Sequence, residues 1–344
     1  MDRPTVHDIA REAGVSLATV DRVLNARAGV RQKTIDKVND TIVRLGYVRD
    51  TSAANLARQR RYTFAFVLPE GPSQFAESIR AALRDAYSSH IADRLVLRVL
   101  SVPANDPHAI VRALLSLDPK KLDGLALMVP ETPQVRDALA RIKQEGIAIV
   151  ALVSDLPNSP RDYFVGTDSI AAGRTAALLM GKFARKPGEI LLATNSMRSR
   201  DSLERRLGFD AVMQSDFPHL TVIPTIESFD DPERMEELVF GMLIRKPQLA
   251  GLYSMGSGNL SILRALRRSA RVGDLPVIMH ELTPPTRAAL TANEVDAVIA
   301  QNVGHLVRSA IRVLRSLSDN LPIFEPQERL RIEVVLRENL PESS

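Results

Sequence analysis

Residues 5–25 read TVHDIAREAGVSLATVDRVLN, and the spacing within that stretch decides how the chain begins. Thr5 and Asp8 stand three apart, as in a capping box, and Val6, Ile9, Ala10 and Ala13 follow at helical spacing. Gly14 interrupts the run and suits a left-handed C-cap. Ser16 can cap a second helix that turns Val20, Val23 and Leu24 inward. After the turn NARAGVR, a third helix carries Ile35, Val38, Ile42 and Leu45 on one face and closes at Gly46. Helix, glycine-containing turn, helix is the helix-turn-helix pattern; a small helical bundle that binds no DNA shares it.

Charge supports the first of these readings. Residues 1–61 hold 12 Lys/Arg against 7 Asp/Glu, a balance of +5, whereas the other 283 residues hold 33 against 34. The basic excess is confined to the segment with the helical motif, where phosphate neutralisation favours nucleic acid. The 344 residues are 45% hydrophobic and 25% charged, a globular composition long enough for more than one core. The absence of cysteine excludes disulfides, thiolate catalysis and Cys-ligated zinc. The N-terminus lacks an apolar core of signal-peptide length, and no apolar run nears a membrane span, so a cytoplasmic protein without membrane contact is expected.

Residues 49–61, RDTSAANLARQRR, are polar and basic and read as a linker that becomes helical when held. From Tyr62 the texture changes. Apolar runs such as FAFVLP, GLALMVP, IAIVALV, EILLAT, LAGLYSM and DAVIAQ alternate with amphipathic stretches such as AESIRAALRDAY and AAGRTAALLMGKF. This alternation predicts an α/β fold of two doubly wound lobes, with ligands outside the carboxyl ends of the strands.

The motifs TVHDIAREAGVSLATVDRVLN, KTIDKVNDTIVRLGYV and AANLARQRR resemble the headpiece and hinge of the lactose/galactose-repressor (LacI/GalR) family. VGTDSIAAGRTAALLM, ERRLGFDAVM and DAVIAQNVGHLVRSAI resemble its effector domain, itself similar to periplasmic sugar-binding proteins. The resemblance implies an all-α helix-turn-helix headpiece at 1–48, a hinge at 49–61 and a two-lobed effector-binding and dimerisation domain at 62–344. The N-lobe would take about 62–163 and 296–320, and the C-lobe about 164–295 and 321–344. It further implies a homodimer or dimer of dimers on a pseudo-palindromic double-stranded operator, controlled by a small carbohydrate-like effector without a cofactor.

Carried over residue by residue, Leu17, Ala18 and Arg22 fall where the family reads base edges. Arg22 can bond G O6 and N7 together, and Ala18 offers only a methyl contact. Ser16, Thr19 and Asn25 fall at phosphate-contact positions, with Arg31 and Thr34 as weaker candidates. Leu56 matches a leucine wedged into the minor groove, with Ala53 beside it; a hydrophobic staple of the linker is the alternative. Asp21 stands where relatives commonly carry a small hydroxyl residue. It either accepts from a cytosine amino group or pairs with Arg27 or Arg31 and orients that arginine to the backbone.

In the effector domain the resemblance points to Asp168, Arg205 and Gln301, with Ser73 and Phe75 in the first lobe. Asp168 can cap a helix, accept ligand hydroxyls, or both. Arg205 is expected to reach the ligand, with the adjacent Arg206 on another face. Gln301 ends a strand with both donor and acceptor. Phe75 can stack on a sugar or pack in the core. Two departures bear on ligand identity. Many relatives carry an Asp after the strand that here reads LAGLYSM, but Gly256 holds that place, with Asn259 as its candidate replacement. His280 and Glu281 sit together at a strand end, either facing a ligand or forming a surface pair. Sugar, polyol and sugar acid all remain open.

An enzyme is not expected. GSGNLS is an incomplete dinucleotide fingerprint, no phosphate loop occurs, and the six histidines are scattered. A transport-type binding protein would not need residues 1–61. A DNA-binding regulator without ligand control stays open.

Overall fold

The computed structural model describes residues 5–24, 29–45, 61–71, 73–89, 95–103, 105–184 and 186–342. The chain divides into two units, Met1–Arg60 and Arg61–Ser344. The first contains α1 (Val6–Ala13), α2 (Leu17–Leu24) and α3 (Gln32–Leu45). The capping box forms: Thr5 N donates to Asp8 Oδ2 at 2.9 Å, and Asp8 N to Thr5 Oγ1 at 3.4 Å. Gly14, at φ +59°, ends α1 in the left-handed region that lacks a Cβ penalty. Ser16 Oγ accepts from Thr19 N at 3.1 Å and starts α2. Ile9, Ala13, Val20 and Val38 are fully buried, with Val23, Ile42 and Leu45 packed around them.

In the second unit, the first parallel sheet runs β2-β1-β3-β4-β5. Its strands are β1 (Tyr62–Pro69), β2 (Leu95–Val102), β3 (Gly124–Leu127), β4 (Ala148–Leu152) and β5 (Tyr163–Val165), joined through α4 (Gln74–Ser89), α5 (Pro107–Leu115) and α6 (Pro133–Gln144). Strands β1, β3 and β4 are apolar on both faces because helices cover both. A crossing then leads to α7 (Ser169–Phe183), β6 (Gly188–Thr194), α8 (Arg200–Asp216), β7 (Leu220–Val222), β8 (Ile226–Glu227), α9 (Pro232–Arg245) and β9 (Leu249–Ser254). Next come α10 (Asn259–Arg268), β10 (Val277–His280), α11 (Pro284–Thr291) and β11 (Ala297–Gln301). After α12 (Val303–Ser318) and α13 (Glu325–Glu328), β12 (Ile332–Val335) completes a seven-stranded second sheet. Its main path is β12-β11-β10-β9-β6-β7, with β8 on β6; β12 alone is antiparallel.

Two expected lobe boundaries move. Residues 296–301 belong to the second lobe, because Ile278 registers with Ala297 and His280 with Ile299 in the parallel pair β10–β11. An apolar run can finish either sheet; here the backbone ladder decides. The return to the first lobe comes with α12, whose Leu306, Ala310, Ile311 and Leu314 pack with Phe64, Phe66 and Leu83. The first lobe also keeps the chain beyond residue 320: Arg312 Nη2 reaches Glu328 Oε2 at 2.7 Å, and Leu330 joins its core.

Helices α7 and α8 meet backbone to backbone. A Cβ on Gly173 would stand 2.0 Å from Arg205 O, and one on Gly208 would stand 2.1 Å from Ile170 O. Only glycine permits that approach at both crossings, and it fixes α8 over the end of the second sheet.

Candidate functional site

A cavity of about 370 Å³ opens between the lobes, where the carboxyl ends of strands from both sheets face each other. Glu70 follows β1, Met128 follows β3, Ser154 follows β4, Asn195 follows β6, Gly256 follows β9 and Glu281 follows β10; all line it. This is the position at which doubly wound sheets place ligands.

Arg205 lines it, its side chain only 4% exposed. The first turn of α8 supplies Asp201, one helical turn before Arg205, and their charged groups lie 3.3 Å apart. Nη1 also donates to Met255 O at 2.5 Å, and Nη2 lies 3.7 Å from Glu281 Oε1. Gln301 Nε2 donates to the same Glu281 oxygen at 2.9 Å. Burial pushes the Glu281 carboxyl up to about 7, against the opposing pull of Arg205 and Gln301. Among the described residues, Arg205 Nε and Gln301 Oε1 are buried without a hydrogen-bond partner. A buried polar atom left this way is a site at which a bound molecule gains a bond.

Other sequence candidates fall out differently. Asp168 does not line the cavity; it is exposed and accepts from Ala171 N at 2.9 Å as the N-cap of α7, so the capping role stands and the cleft role is corrected. Gln301 is also off the cavity wall and acts through Glu281. Asn259 reaches the wall, but Oδ1 accepts from Ser254 Oγ at 2.6 Å and Nδ2 donates to His280 O at 2.8 Å. It ties two strand ends together and does not replace the missing carboxylate. Ser73 and Phe75 both line the cavity; Ser73 Oγ also accepts from Ala76 N at 3.2 Å, and Phe75 is part of the first lobe's core.

The His280–Glu281 pair divides: His280 ends β10, and Glu281, just past it, takes a left-handed φ of +68°. His280 is not on the wall; its Nε2 and Tyr253 Oη lie 2.7 Å apart in the interior, and Tyr253 stacks on Phe209. Burial, with Arg205 near, holds the imidazole well below its usual pKa and hence neutral. Arg206 faces away from the cavity, bonding Asp210 at 2.6 Å and Thr225 at 2.7 Å. Gly256 has φ +136°, and a Cβ there would stand 2.9 Å from Arg205 Nη1. The guanidinium thus closes on the space that a side chain at that position would use.

Several wall residues are not among the sequence candidates, including Glu70, Ser154, Asp201, Ser202, Asp230 and Thr283. Only Asp201 carried a signal, its i,i+4 spacing to Arg205. Among the described residues, two hydrogen bonds cross from lobe to lobe here: Asp201 N donates to Ser154 Oγ at 3.4 Å, and Asn105 Nδ2 to Asp230 Oδ2 at 2.5 Å. Phe229 and Asp230 carry φ of +55° and +66°, an uncommon conformation that turns the Asp230 carboxylate to this position.

In the first unit, Ser16, Leu17, Ala18, Asp21 and Arg22 lie exposed on α2 or at its start, with Thr19 half-buried. Leu17 is 43% exposed, which core packing does not explain. Arg31 is exposed before α3, and Thr34 is half-buried. Asn25, Arg27, Ala53 and Leu56 lie outside the described residues.

Residues 5–50 match the model of bacterial regulatory proteins of the lacI family, and residues 64–321 match the periplasmic binding protein domain. The chain belongs to the LacI family of bacterial regulatory proteins. Among relatives of this LacI-family chain, the HTH-type transcriptional regulator DegA of Bacillus subtilis (strain 168) is 29% identical over 177 residues, 51% of each chain. Catabolite control protein A of Staphylococcus xylosus is 32% identical over 127 residues, 36% of each chain. The matching regions thus span about half or less of these relatives. In fold, the chain is similar to GanP, a glucose-galactose binding protein from Geobacillus stearothermophilus. That similarity has a TM-score of 0.72 at 18% identity, over 82% of this chain and 100% of the other. Among the described residues, no helix is long and apolar enough to cross a membrane.

Proposed function

We propose that the chain is a transcriptional repressor that binds double-stranded operator DNA through residues 1–61 and a small carbohydrate-like molecule in the cleft. The observation that carries this reading is one chain holding both a lacI-family region at 5–50 and a cleft cavity with a buried, unpartnered Arg205 Nε. Arg22 and Leu17, on the exposed face of α2, contact base edges, and Ala18 offers its methyl. Ser16, Thr19, Asn25, Arg31 and Thr34 position the headpiece on phosphates. Leu56, with Ala53 beside it, enters the minor groove. Two copies read two half-sites, as a two-fold operator requires. Ligand bound between the lobes changes their angle, and operator and ligand are then linked by one reciprocal coupling energy. The chain acts by binding and catalyses no reaction.

The test is selection of binding sites from random duplex DNA with the full chain, followed by gel shift with a chain lacking residues 1–61. The full chain is expected to recover a pseudo-palindrome, and the shortened chain to lose at least about 1000-fold in affinity for it. Retained specific binding by the shortened chain overturns the assignment.

A further inference from the structure

The charges around the cavity do not balance. Glu70, Asp201, Asp230, Asp231 and Glu281 line it, against Arg205 and Arg264. Arg205 offers little to an incoming anion: its two terminal nitrogens already face Asp201, Glu281 and the Met255 carbonyl, which leaves Nε alone. Three of the carboxylates, by contrast, have no ion-pair partner among the described residues: Glu70, Asp230 and Asp231, the last of which accepts from Arg234 N at 2.9 Å as a helix cap. Glu70 stands on the first lobe and Asp230 on the second. The Asp230 carboxyl is raised above its ordinary value by desolvation, against the opposing pull of the Asn195 amide. Hydroxyls are abundant on the same wall, among them Ser73, Ser154, Ser202 and Thr283.

Resting on the cleft reading above, we infer that the effector is a small polyhydroxylated amine, an amino sugar or aminopolyol, rather than a sugar acid or sugar phosphate. Its hydroxyls bond the serine and threonine side chains and Arg205 Nε. Its ammonium is held in the surplus field of Glu70 and Asp230, one from each lobe, so that the same charge that gives affinity also draws the lobes together. A carboxylate or phosphate in this cavity would meet the unpaired Glu70, Asp230 and Asp231 and a guanidinium already engaged by Asp201 and Glu281; Arg264, exposed, is the single lining cation left to receive it.

The test is thermal stabilisation and calorimetric binding of the full chain at neutral pH with matched triplets. D-glucosamine, D-galactosamine and D-glucamine are compared with D-glucose, D-galactose and sorbitol, and with D-glucuronate, D-galacturonate and D-gluconate. At least one amine is expected to bind about tenfold or more tightly than its neutral and acidic counterparts. Asp230→Asn combined with Glu70→Gln is expected to remove that margin while the melting temperature of the unliganded chain stays within a few degrees. Equal or tighter binding of a neutral or acidic counterpart overturns the inference and leaves the cleft reading standing. An unchanged margin in the double variant also overturns it. If none of the nine compounds binds, the inference and the carbohydrate-like reading of the cleft fall together.

Discussion

At the scale of single residues, Glu281 is the group most exposed to a change of pH. Its φ of +68° turns it toward the cleft, Gln301 donates to it, and burial favours its protonated form. An acid raised from 4.5 to about 7 on folding stabilises the native state most below the unfolded value, and that contribution disappears as pH rises through 7. Glu281→Gln, which stays neutral, is therefore expected to lose less stability than the native chain between pH 4.5 and 7. The difference is on the order of 1–3 kcal/mol, read by denaturant titration across that range. Parallel pH profiles for the two chains would refute this. The same residue shows where sequence reading stops. Arg205 was legible because its motif carries it, but its partners Glu281, Met255 and Asp201 come from three separate elements. The turning of His280 into the interior and of Glu281 toward the cleft depends on where β10 ends and on the left-handed φ of Glu281 just past it. Asp230 had no signal at all, since its position depends on two left-handed residues in a loop.

At the scale of elements, the contact of α7 with α8 governs the site without touching it. Gly173 lies against the carbonyl of Arg205 itself, so any side chain there pushes the ligand-facing helix away from β9 and β10. Gly173→Ala is expected to cost about 1–3 kcal/mol through forced repacking, lowering the melting temperature by several degrees. An unchanged melting temperature would show that α8 has slack. Helices and strands were the part of the fold best read from sequence, because their caps and apolar periods are local. The capping box at Thr5, the Gly14 stop and the alternating runs after Tyr62 all formed as the pattern predicts. The lobe boundary near residue 296 was misread because DAVIAQ carries no mark of the sheet it joins. Register with β10 is a long-range property of the backbone.

At the scale of the whole molecule, two hydrogen bonds among the described residues bridge the lobes around a cavity lined by both. Asn105→Ala removes the more exposed one, worth about 0.5–1.5 kcal/mol. It should widen the cleft in a larger share of molecules without ligand, seen as a greater radius of gyration in solution scattering; an unchanged radius would mean that this bond does not set the angle. The two lobes are also joined by three strands of chain, between β5 and α7, between β11 and α12, and between α13 and β12. On the proposed function, a recombination event near residue 61 would exchange the DNA-reading unit through one joint. Exchanging half of the ligand-binding unit needs three correct joints at once. If the proposed function holds, new operators can be acquired in this architecture by shuffling, whereas a new ligand preference has to be acquired by point substitution on the cavity wall.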